Sequence, residues 1–474
     1  MVTSVCLQTP LTELYNDLGD VVRLFFGEVS VSAEKGDLCI VHSMDELGHL
    51  VRIGECSARR PLTPACSDPL LEKRLRKRAA KSCLYDALKA YTGQKPPWGS
   101  LTGIRPTRLF FEQLEQGKSM EEAERALCKT FDLDADKASL LRQIAQVQRA
   151  LSMPKPGDID VYVGIPFCTT RCTYCSFAAT DLKHGGPLVD PYVEAVQREM
   201  RLCAPSLAGY RVRCIYIGGG TPTALRVEQL AQVIETAKEC FPCQGEFTVE
   251  AGRPDTITPE MLKMLREHGV GRVSVNPQTM NDETLRRIGR AHSAGDVVRA
   301  YGQIREAGFD AVNMDVILGL PGETLRDVED TLSRIQQLDP DNLTVHTLAI
   351  KRASKLHELG QQPETPQAQQ MVDFARQRAG EMGMEPYYLY RQKYMAGNLE
   401  NVGYAKPGKA CLYNVDIMEE IAPIAAFGAG AISKWLYPRT RRIERAPNVK
   451  NIEQYIQRVE EMARRKQALW EARV

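Results

Sequence analysis

The chain has 474 residues, of which 43% are hydrophobic, and a formal net charge of +1 at pH 7. This length predicts two or three domains, and the balanced charge excludes a strongly basic nucleic-acid-binding protein. The first residues, "MVTSVCLQTP", lack a basic segment followed by an apolar one, and no apolar run approaches the roughly 18 residues needed to span a membrane. We therefore expect a cytoplasmic protein that neither spans a membrane nor binds nucleic acid.

Residues 1–95 predict an α+β domain without a motif that indicates its role. The β-like runs "VVRLFFGEVSV" and "DLCIVHSM" precede a helix that contains "LEKRLRKRAAKS". The basic run from Lys73 to Lys81 could attract an acidic protein or a ligand that carries carboxylates, but a solvated helix face is the favoured interpretation. Residues 96–155, which begin with "PPWGSLTGIRPTRL", predict a helical connector.

From residue 156 to residue 350, short strand-like runs alternate with amphipathic helical stretches. The strand candidates are "DVYVGIPF", "VRCIYIGGGTPT", "EFTVEAG", "RVSVNPQT", "AVNMDVILGLPGE" and "NLTVHTLAI". The helix candidates include "TPEMLKMLREHG", with Thr258 as N-cap and Gly269 as its stop. Six such units predict a partial (β/α)6 barrel, although a doubly wound sheet has a similar pattern. Both folds place ligands at the C-terminal ends of their strands.

Residues 351–474 predict a mainly helical C-terminal domain that covers the barrel. They contain a helix, a Tyr-rich segment "PYYLYRQKYMAGNLENVGYAKPG", a Gly/Ala-rich run and a terminal helix.

Three of the 14 cysteines, Cys168, Cys172 and Cys175, lie together in "VGIPFCTTRCTYCSF", directly after the first predicted strand. Thiolates are soft ligands for zinc, copper(I) or iron–sulfur clusters. A structural zinc site needs a fourth ligand nearby, but the next candidates are His184 and Cys203. A four-iron cluster held by three cysteines instead keeps one iron open for a ligand.

Other candidate ligands receive a plainer interpretation. Cys240 and Cys243 in "ECFPC" could form a redox dithiol or hold an auxiliary cluster, but without a further cysteine pair we interpret them as loop cysteines at a helix end. His292 and His346 could be haem ligands or proton donors, but lone histidines in such positions are more often structural.

The C-x3-C-x2-C spacing, with Tyr174 before the last cysteine, resembles the signature of radical S-adenosylmethionine (SAM) enzymes. The motifs "YVGIPFC", "GGGTPT", "VEAG", "NPQT…IGRAH" and "NMDVILGLPGE" are similar to the branch that contains the oxygen-independent coproporphyrinogen III dehydrogenase HemN and the haem chaperone HemW. "TGIRPTR", "VNPQTMN" and "HTLAIKRAS" most resemble the HemZ group of that branch. The resemblance covers about residues 97–460.

This resemblance implies a [4Fe–4S] cluster bound by Cys168, Cys172 and Cys175, with SAM on the open iron. It also implies SAM contacts at further positions, which are Tyr162, Gly218, Gly219, Gly220, Glu250, Gln278, Arg290, Asp315 and, through its backbone, Ala349. The absence of side chains at the three glycines would let the backbone approach the methionine part of SAM.

The implied reaction is the oxidative decarboxylation of coproporphyrinogen III to protoporphyrinogen IX. A low-potential donor such as flavodoxin or ferredoxin would supply the electron that cleaves SAM, and the protein would act as a monomer on a tetrapyrrole. Arg105, Arg108, Arg171, Arg253 and Arg391 are candidates for pairing with its propionates.

The sequence departs from the dehydrogenase pattern directly after the third cysteine. HemN enzymes carry a further cysteine two positions after it, whereas here Ser176 and Phe177 follow Cys175, as in HemW. A haem-binding chaperone, or a radical SAM enzyme acting on another tetrapyrrole, therefore remains an alternative.

Overall fold

The computed structural model describes residues 2–62, 68–103, 105–361, 367–392, 395–437, 440 and 442–471. The chain divides into two compact units, residues 1–142 with 391–394 and residues 143–390 with 395–474. The first unit thus contains the predicted N-terminal domain together with most of the predicted connector. Among the described residues, no helix is both long enough and apolar enough to cross a membrane.

The first unit is built on a small sheet with helices packed against it. Its strands are β1 (Ser4–Gln8), β2 (Ser30–Ser32), β3 (Leu38–Asp45), β4 (Gly48–Ile53) and β5 (Cys56–Arg60). Its helices are α1 (Tyr15–Phe26), α2 (Pro69–Thr92), α3 (Pro106–Glu115) and α4 (Met120–Phe131), and the unit boundary falls within α5 (Ala135–Ala150). The strand order is β2-β1-β3-β4-β5.

One predicted strand of this unit is wrong. The run "VVRLFF" lies in α1, and only the end of the predicted segment forms a strand, β2. Leu18, Val21, Val22 and Phe25 are buried at the three- and four-residue spacing of one helix face. Helical periodicity thus outweighs the β-propensity of the two valines and two phenylalanines.

The second unit alternates strands and helices along most of its length. Its strands are β6 (Asp158–Ile165), β7 (Phe167–Cys168), β8 (Thr180–Asp181), β9 (Arg211–Gly219), β10 (Cys243–Val249), β11 (Arg272–Ser274), β12 (Ala311–Leu318), β13 (Asn342–Thr347), β14 (Glu385–Tyr390), β15 (Asn401–Ala405), β16 (Ile424–Phe427), β17 (Ile432–Leu436) and β18 (Ile443–Pro447). Its helices are α6 (Leu182–Gly185), α7 (Val189–Leu207), α8 (Val227–Cys240), α9 (Pro259–Glu267), α10 (Asp282–Arg287), α11 (Ala294–Glu306), α12 (Leu325–Leu338), α13 (Lys355–Glu358), α14 (Ala368–Glu381), α15 (Leu412–Glu419), α16 (Ile452–Gln457) and α17 (Val459–Glu471).

The six strands predicted from the sequence form the centre of one sheet. They are parallel and neighbour one another in chain order, as β6-β9-β10-β11-β12-β13. In the pairings of the described residues, β14 and β18 end the sheet and do not pair with each other. The predicted partial (β/α)6 barrel is therefore confirmed. Because all six strands run the same way, their C-terminal ends meet at one edge.

The C-terminal region does more than cover the barrel with helices. It extends the sheet at both ends. At one end, β15 pairs antiparallel with β13, and β14 pairs antiparallel with β15. At the other end, β16 pairs parallel with β6, and β17 and β18 follow as the last strands. A buried ion pair between Lys466 of α17 and Glu199 of α7 holds the terminal helix on the barrel. Tyr455 and Asn448 donate hydrogen bonds to the same Glu199 carboxylate, at 2.6 and 2.9 Å.

Polar side chains from β6, β9 and α15 fill the inner face of the sheet below the strand ends. Asp160 and Cys214 are register neighbours on β6 and β9, and Asp416 of α15 lies beside them. Arg213 pairs with Asp416 at 2.9 Å. Burial, with Asp416 close by, raises the pKa of Asp160 well above its usual value. Burial therefore favours the neutral form of Asp160 over its carboxylate in this layer.

We expect Asp160→Asn to preserve the fold, because the amide matches the neutral acid in shape. The pKa of Asp160 is higher in the folded protein than in the unfolded protein. The contribution of Asp160 to the stability is therefore complete below its unfolded-state pKa, and it is lost as the pH rises through its folded-state pKa. The free energy of unfolding of the variant should thus rise relative to that of the parent protein as the pH increases. The gain should be about 1.4 kcal/mol per pH unit between the unfolded-state and folded-state pKa values of Asp160.

Thermal unfolding from pH 4.5 to pH 7.5 measures this difference. Asp330→Asn, at an exposed position of α12, is the control and should show no such trend. A difference between Asp160→Asn and the parent protein that stays constant with pH would contradict the assignment of a neutral Asp160.

Candidate functional site

The three predicted metal-ligating cysteines lie in the loop that follows β6, at the C-terminal edge of the barrel. Residues at the two ends of this loop pair as β7 and β8, which closes it. The backbone N–H of Cys175 donates to the carbonyl of Cys172 at 3.2 Å, so the last two cysteines share a tight turn. Burial raises the pKa of the Cys168 and Cys175 thiols. The fold therefore presents three clustered thiols at the end where barrel enzymes bind ligands.

The glycine-rich turn after β9 packs directly on this cysteine loop. Gly220 N–H donates to the carbonyl of Ile165 at 2.8 Å, and Thr221 N–H donates to the carbonyl of Phe167 at 2.8 Å. A Cβ atom on Gly220 would lie 2.6 Å from the Phe167 carbonyl oxygen and 2.9 Å from Cys168 Sγ. Gly219 has a φ of +117°, which other residues rarely adopt. Both glycines are thus required by the close approach of the two loops.

Glu250 follows β10 and meets the same turn. Its carboxylate accepts hydrogen bonds from Tyr216 Oη at 2.6 Å and from Gly219 N–H at 3.2 Å. A Cβ on Gly218 would lie 2.9 Å from the Glu250 carboxyl carbon, so the glycine makes room for this side chain. Burial raises the pKa of Glu250 to about 7. This carboxyl can thus change its charge near neutral pH.

Tyr162 lies on the inner face of β6 rather than at the strand end. Its ring stacks on those of Tyr216 and Tyr413, with centroid distances of 6.3 and 6.1 Å. Its hydroxyl approaches Gly164, two residues nearer the strand end. Burial, with a smaller effect of Glu250, raises the pKa of Tyr162. Tyr162 therefore belongs to a stack of tyrosines that lies below Glu250.

Arg290 connects the barrel strands with the cysteine loop. Its guanidinium donates to Tyr174 Oη at 3.0 Å and to the carbonyl of Asn276 at 3.1 Å. Tyr174 lies between Cys172 and Cys175, so the aromatic residue of the sequence signature is fixed by a buried cation. Arg290 Nε has no hydrogen-bond partner among the described residues.

Gln278, in the segment after β11, lies beside Asp315, which is within β12. The backbone N–H of Gln278 donates to the carbonyl of Asp315 at 2.9 Å, and Gln278 has a φ of +66°. The side-chain oxygen of Gln278 is buried and has no partner among the described residues. Burial alone would raise the pKa of Asp315, but His346 and the hydrogen bond from Asn313 hold it below its usual value.

Ala349 follows β13 and bridges to Met395 through its backbone. The predicted residues thus come from within β6 and β12, from the end of β9, and from the segments that follow β6, β9, β10, β11 and β13. The hydrogen bonds described above join the cysteine loop to the glycine turn and Arg290, the glycine turn to Glu250, and Gln278 to Asp315.

Arg253, which its proximity to motifs made a candidate partner of substrate propionates, lies beside the cysteine loop. It is buried, and its guanidinium donates to the carbonyl of Thr170 at 3.0 Å and lies 3.9 Å from Cys172 Sγ. Its position three residues after Glu250, at a strand end, was the available signal. Arg253 supports the cysteine loop from below.

Tyr216 and Tyr413 were not predicted at all. The period-two spacing of Tyr216 with Gly218 on β9 could have indicated the first, but nothing in the sequence near Tyr413 relates it to the barrel.

The remaining candidates take structural positions. His292 is buried, and both ring nitrogens lack a partner among the described residues. Burial, then Arg290 and Arg253, lower its pKa to about 4, so it is neutral at physiological pH. His346 lies 3.2 Å from Tyr390 Oη. Cys240 ends α8 and Cys243 begins β10, which agrees with loop cysteines at a helix end.

Comparison with known proteins agrees with this geometry. Residues 162–335 match the Radical SAM superfamily. The chain is 36% identical to the oxygen-independent coproporphyrinogen-III oxidase-like protein HemZ of Bacillus subtilis, over 94% of this chain and 93% of that protein. It is 31% identical to the heme chaperone HemW of Bacillus subtilis, over 57% of this chain and 70% of that protein.

A solved structure shares the fold. The chain superposes on coproporphyrinogen III oxidase (HemN) from Escherichia coli, described as a radical SAM enzyme, with a TM-score of 0.52 and 25% identity, covering 69% of this chain and 73% of that one. Members of this superfamily use a [4Fe–4S] cluster and SAM. The chain therefore belongs to the radical SAM superfamily, in the branch that contains HemN, HemW and HemZ.

Proposed function

We propose that this protein catalyses the oxygen-independent oxidative decarboxylation of coproporphyrinogen III to protoporphyrinogen IX. The observation that carries the proposal is the 36% identity, along 94% of the chain, to a relative named as coproporphyrinogen-III oxidase-like. In this reaction two propionate side chains each lose CO₂, a hydrogen atom and an electron, which leaves two vinyl groups.

Cys168, Cys172 and Cys175 would hold the [4Fe–4S] cluster. The donor set fits, because three thiols project from one loop and Gly220 keeps the space beside Cys168 Sγ free of a side chain. When bound, the cluster supplies the electron that cleaves SAM to methionine and a 5′-deoxyadenosyl radical. Arg253 and Arg290, both buried beside the loop, would offset the negative charge of the thiolates.

SAM would bind across the strand ends next to the cysteine loop. The buried side-chain oxygen of Gln278 and Nε of Arg290 have no partner among the described residues, as expected of groups that await a polar ligand. Glu250 would accept hydrogen bonds from ligand hydroxyls. Gly218, Gly219 and Gly220 would admit the ligand close to the backbone, while Tyr162, Asp315 and the backbone of Ala349 would complete the contacts.

Positive charge beside the cysteine loop fits a substrate that carries carboxylates. Arg171 is exposed in the loop, and its guanidinium donates to the carbonyl of Ala353 at 3.1 Å. Lys351 follows the end of β13 and lies close enough to Cys175 for their charges to interact. These two cations are better placed for propionates than the buried Arg253.

A haem chaperone is the second candidate. Phe177, where HemN enzymes have a further cysteine two positions after the third, is 66% exposed next to the cysteine loop. An exposed aromatic ring at this position suits contact with a flat macrocycle, and the chain also resembles proteins named as heme chaperones.

One anaerobic incubation separates the two functions. We expect the protein with SAM, a low-potential reductant, an electron acceptor and coproporphyrinogen III to yield mono- and di-decarboxylated products, seen by mass spectrometry after oxidation. Unchanged coproporphyrin together with stoichiometric haem binding would replace the dehydrogenase with the chaperone.

The cysteine assignment is tested by alanine variants. Cys168→Ala, Cys172→Ala and Cys175→Ala should each lose the brown absorbance of the cluster, about four irons per chain, and reductant-dependent formation of 5′-deoxyadenosine. The Cys240→Ala/Cys243→Ala double variant is the matched control and should keep both. One equivalent of zinc without iron after anaerobic reconstitution would show that the site is not an iron–sulfur site.

Glu250 should make SAM binding depend on pH. If only the carboxylate accepts the ligand's hydroxyls, affinity should rise about tenfold from pH 6 to pH 8, as the fraction of ionised Glu250 rises around its pKa of about 7. Glu250→Gln should bind weakly with little pH dependence, which equilibrium dialysis can measure.

Glu323→Gln is the matched control for this experiment. Burial also raises the pKa of Glu323 to about 7, but Glu323 lies against Thr279, away from the cysteine loop. Its variant should keep the pH dependence of SAM binding. Loss of that dependence in Glu323→Gln, and not in Glu250→Gln, would contradict the role of Glu250.

A further inference from the structure

The first unit contains a basic pocket that the cysteine loop and the proposed SAM contacts do not explain. Its volume is about 220 Å³. It is lined by α2 and by the loop that leads into α3, which carry the basic run and the "TGIRPTR" motif. Ile104 of this motif lies outside the described residues. The cations of the lining are Arg74, Lys77, Arg78, Lys81 and Arg105.

Helical spacing explains how the basic run forms one wall. Arg74, Lys77, Arg78 and Lys81 recur at intervals of three and four residues, which places them on a single face of α2. Lys81 Nζ contacts the hydroxyl of Thr102, which joins this face to the loop before α3. Part of the run, including Lys73, Arg74 and Arg76, is exposed as predicted for a solvated face, while Arg78 and Lys81 are partly buried at the pocket.

The described lining combines positive charge with apolar surface and contains no Asp or Glu. Leu101, Leu109 and Phe131 supply the apolar part, and hydroxyl groups of Ser82 and Ser100 also face the pocket. An anion that enters would thus meet donors on one side and hydrocarbon on the other, which is the usual composition of a small-ligand site.

Carboxylates outside the lining offset part of its charge. Arg74 pairs with Glu112 at 3.0 Å and Lys77 with Asp17 at 2.5 Å. Arg78 instead lies over the ring of Phe131, 4.9 Å from its centroid, and forms no ion pair within the described chain. Burial, then the neighbouring Arg74, lower the pKa of Arg78. A cation held in this way is stabilised by an incoming anion.

The start of α3 adds to the attraction. Arg105 immediately precedes its first residue, Pro106, and the first turn of α3 contains no acidic side chain. The positive end of the helix dipole is therefore not compensated there, and it lies beside the cations of α2.

We propose that this pocket binds a small organic dianion, with its phosphate or carboxylate groups held by Arg78, Lys81 and Arg105 and its apolar part packed on Leu101, Leu109 and Phe131. A small molecule suits a pocket of this volume with a partly apolar lining better than a nucleic acid, which would need an extended basic surface. This inference does not depend on the proposed decarboxylation.

Titration calorimetry on the full-length protein tests the proposal with two probes. Phenyl phosphate and phthalate each join a charged head to one aromatic ring, and they distinguish a phosphate ligand from a carboxylate ligand. We expect saturable binding of at least one probe, weakened by salt, because the contacts are ionic.

Substitution in the pocket should remove this binding. Arg78→Gln/Lys81→Gln should weaken it by about tenfold or more, through the loss of two charge-assisted contacts. Lys73→Gln/Arg76→Gln removes the same charge from exposed positions of the same helix, outside the pocket, and should leave the affinity within about twofold. If the double variant does not fold, as judged by circular dichroism, Arg105→Gln in the loop provides the same test.

Two results would overturn the proposal. One is the absence of saturable binding of either probe up to about 10 mM, the range of weak ligands. The other is an equal loss of affinity in the pocket and control variants, which would mean attraction by general charge rather than a site.

Discussion

The contact between the glycine turn after β9 and the cysteine loop after β6 is the constraint on which the rest of the site depends. The glycine turn donates two backbone hydrogen bonds of 2.8 Å, to the carbonyls of Ile165 and Phe167, and a side chain on Gly220 would collide with Phe167 and Cys168. The parallel register of β6 and β9 brings these loops to the same edge. The position of the thiols is thus set by backbone geometry, which tolerates substitution of neighbouring side chains but not of this glycine.

Buried charge then stabilises the arrangement from within the barrel. Arg253 and Arg290 each contact the cysteine loop, and Glu250 contacts the glycine turn. Buried ions are costly unless they are paired. Arg253 is already paired with Asp255 at 3.1 Å, so negative charge in the site would mainly stabilise Arg290. Thiolate ligands provide such charge. In the polar layer below, burial beside the carboxyl of Asp416 raises the pKa of Asp160 and so disfavours its ionisation.

The two units present different kinds of candidate site. In the second unit, polar groups converge at the ends of parallel strands, and the C-terminal region lengthens the sheet at both ends. In the first unit, cations from one helix face and one loop surround apolar side chains. The first kind suits a cofactor fixed by many directional contacts, and the second suits an anion attracted mainly by charge.

The sequence by itself determined the six barrel strands, the cysteine loop and the family, because period-two apolar patterns and short motifs are local features. It misplaced "VVRLFF", where helical burial outweighed strand propensity, and it did not reveal that Arg253 contacts the cysteine loop. Only the tertiary structure brought Tyr413 against Tyr162, since these residues are far apart in the chain. The basic pocket likewise became visible only in the tertiary structure. The surroundings of a cation depend on which distant side chains pack around it, and the local sequence does not specify these side chains.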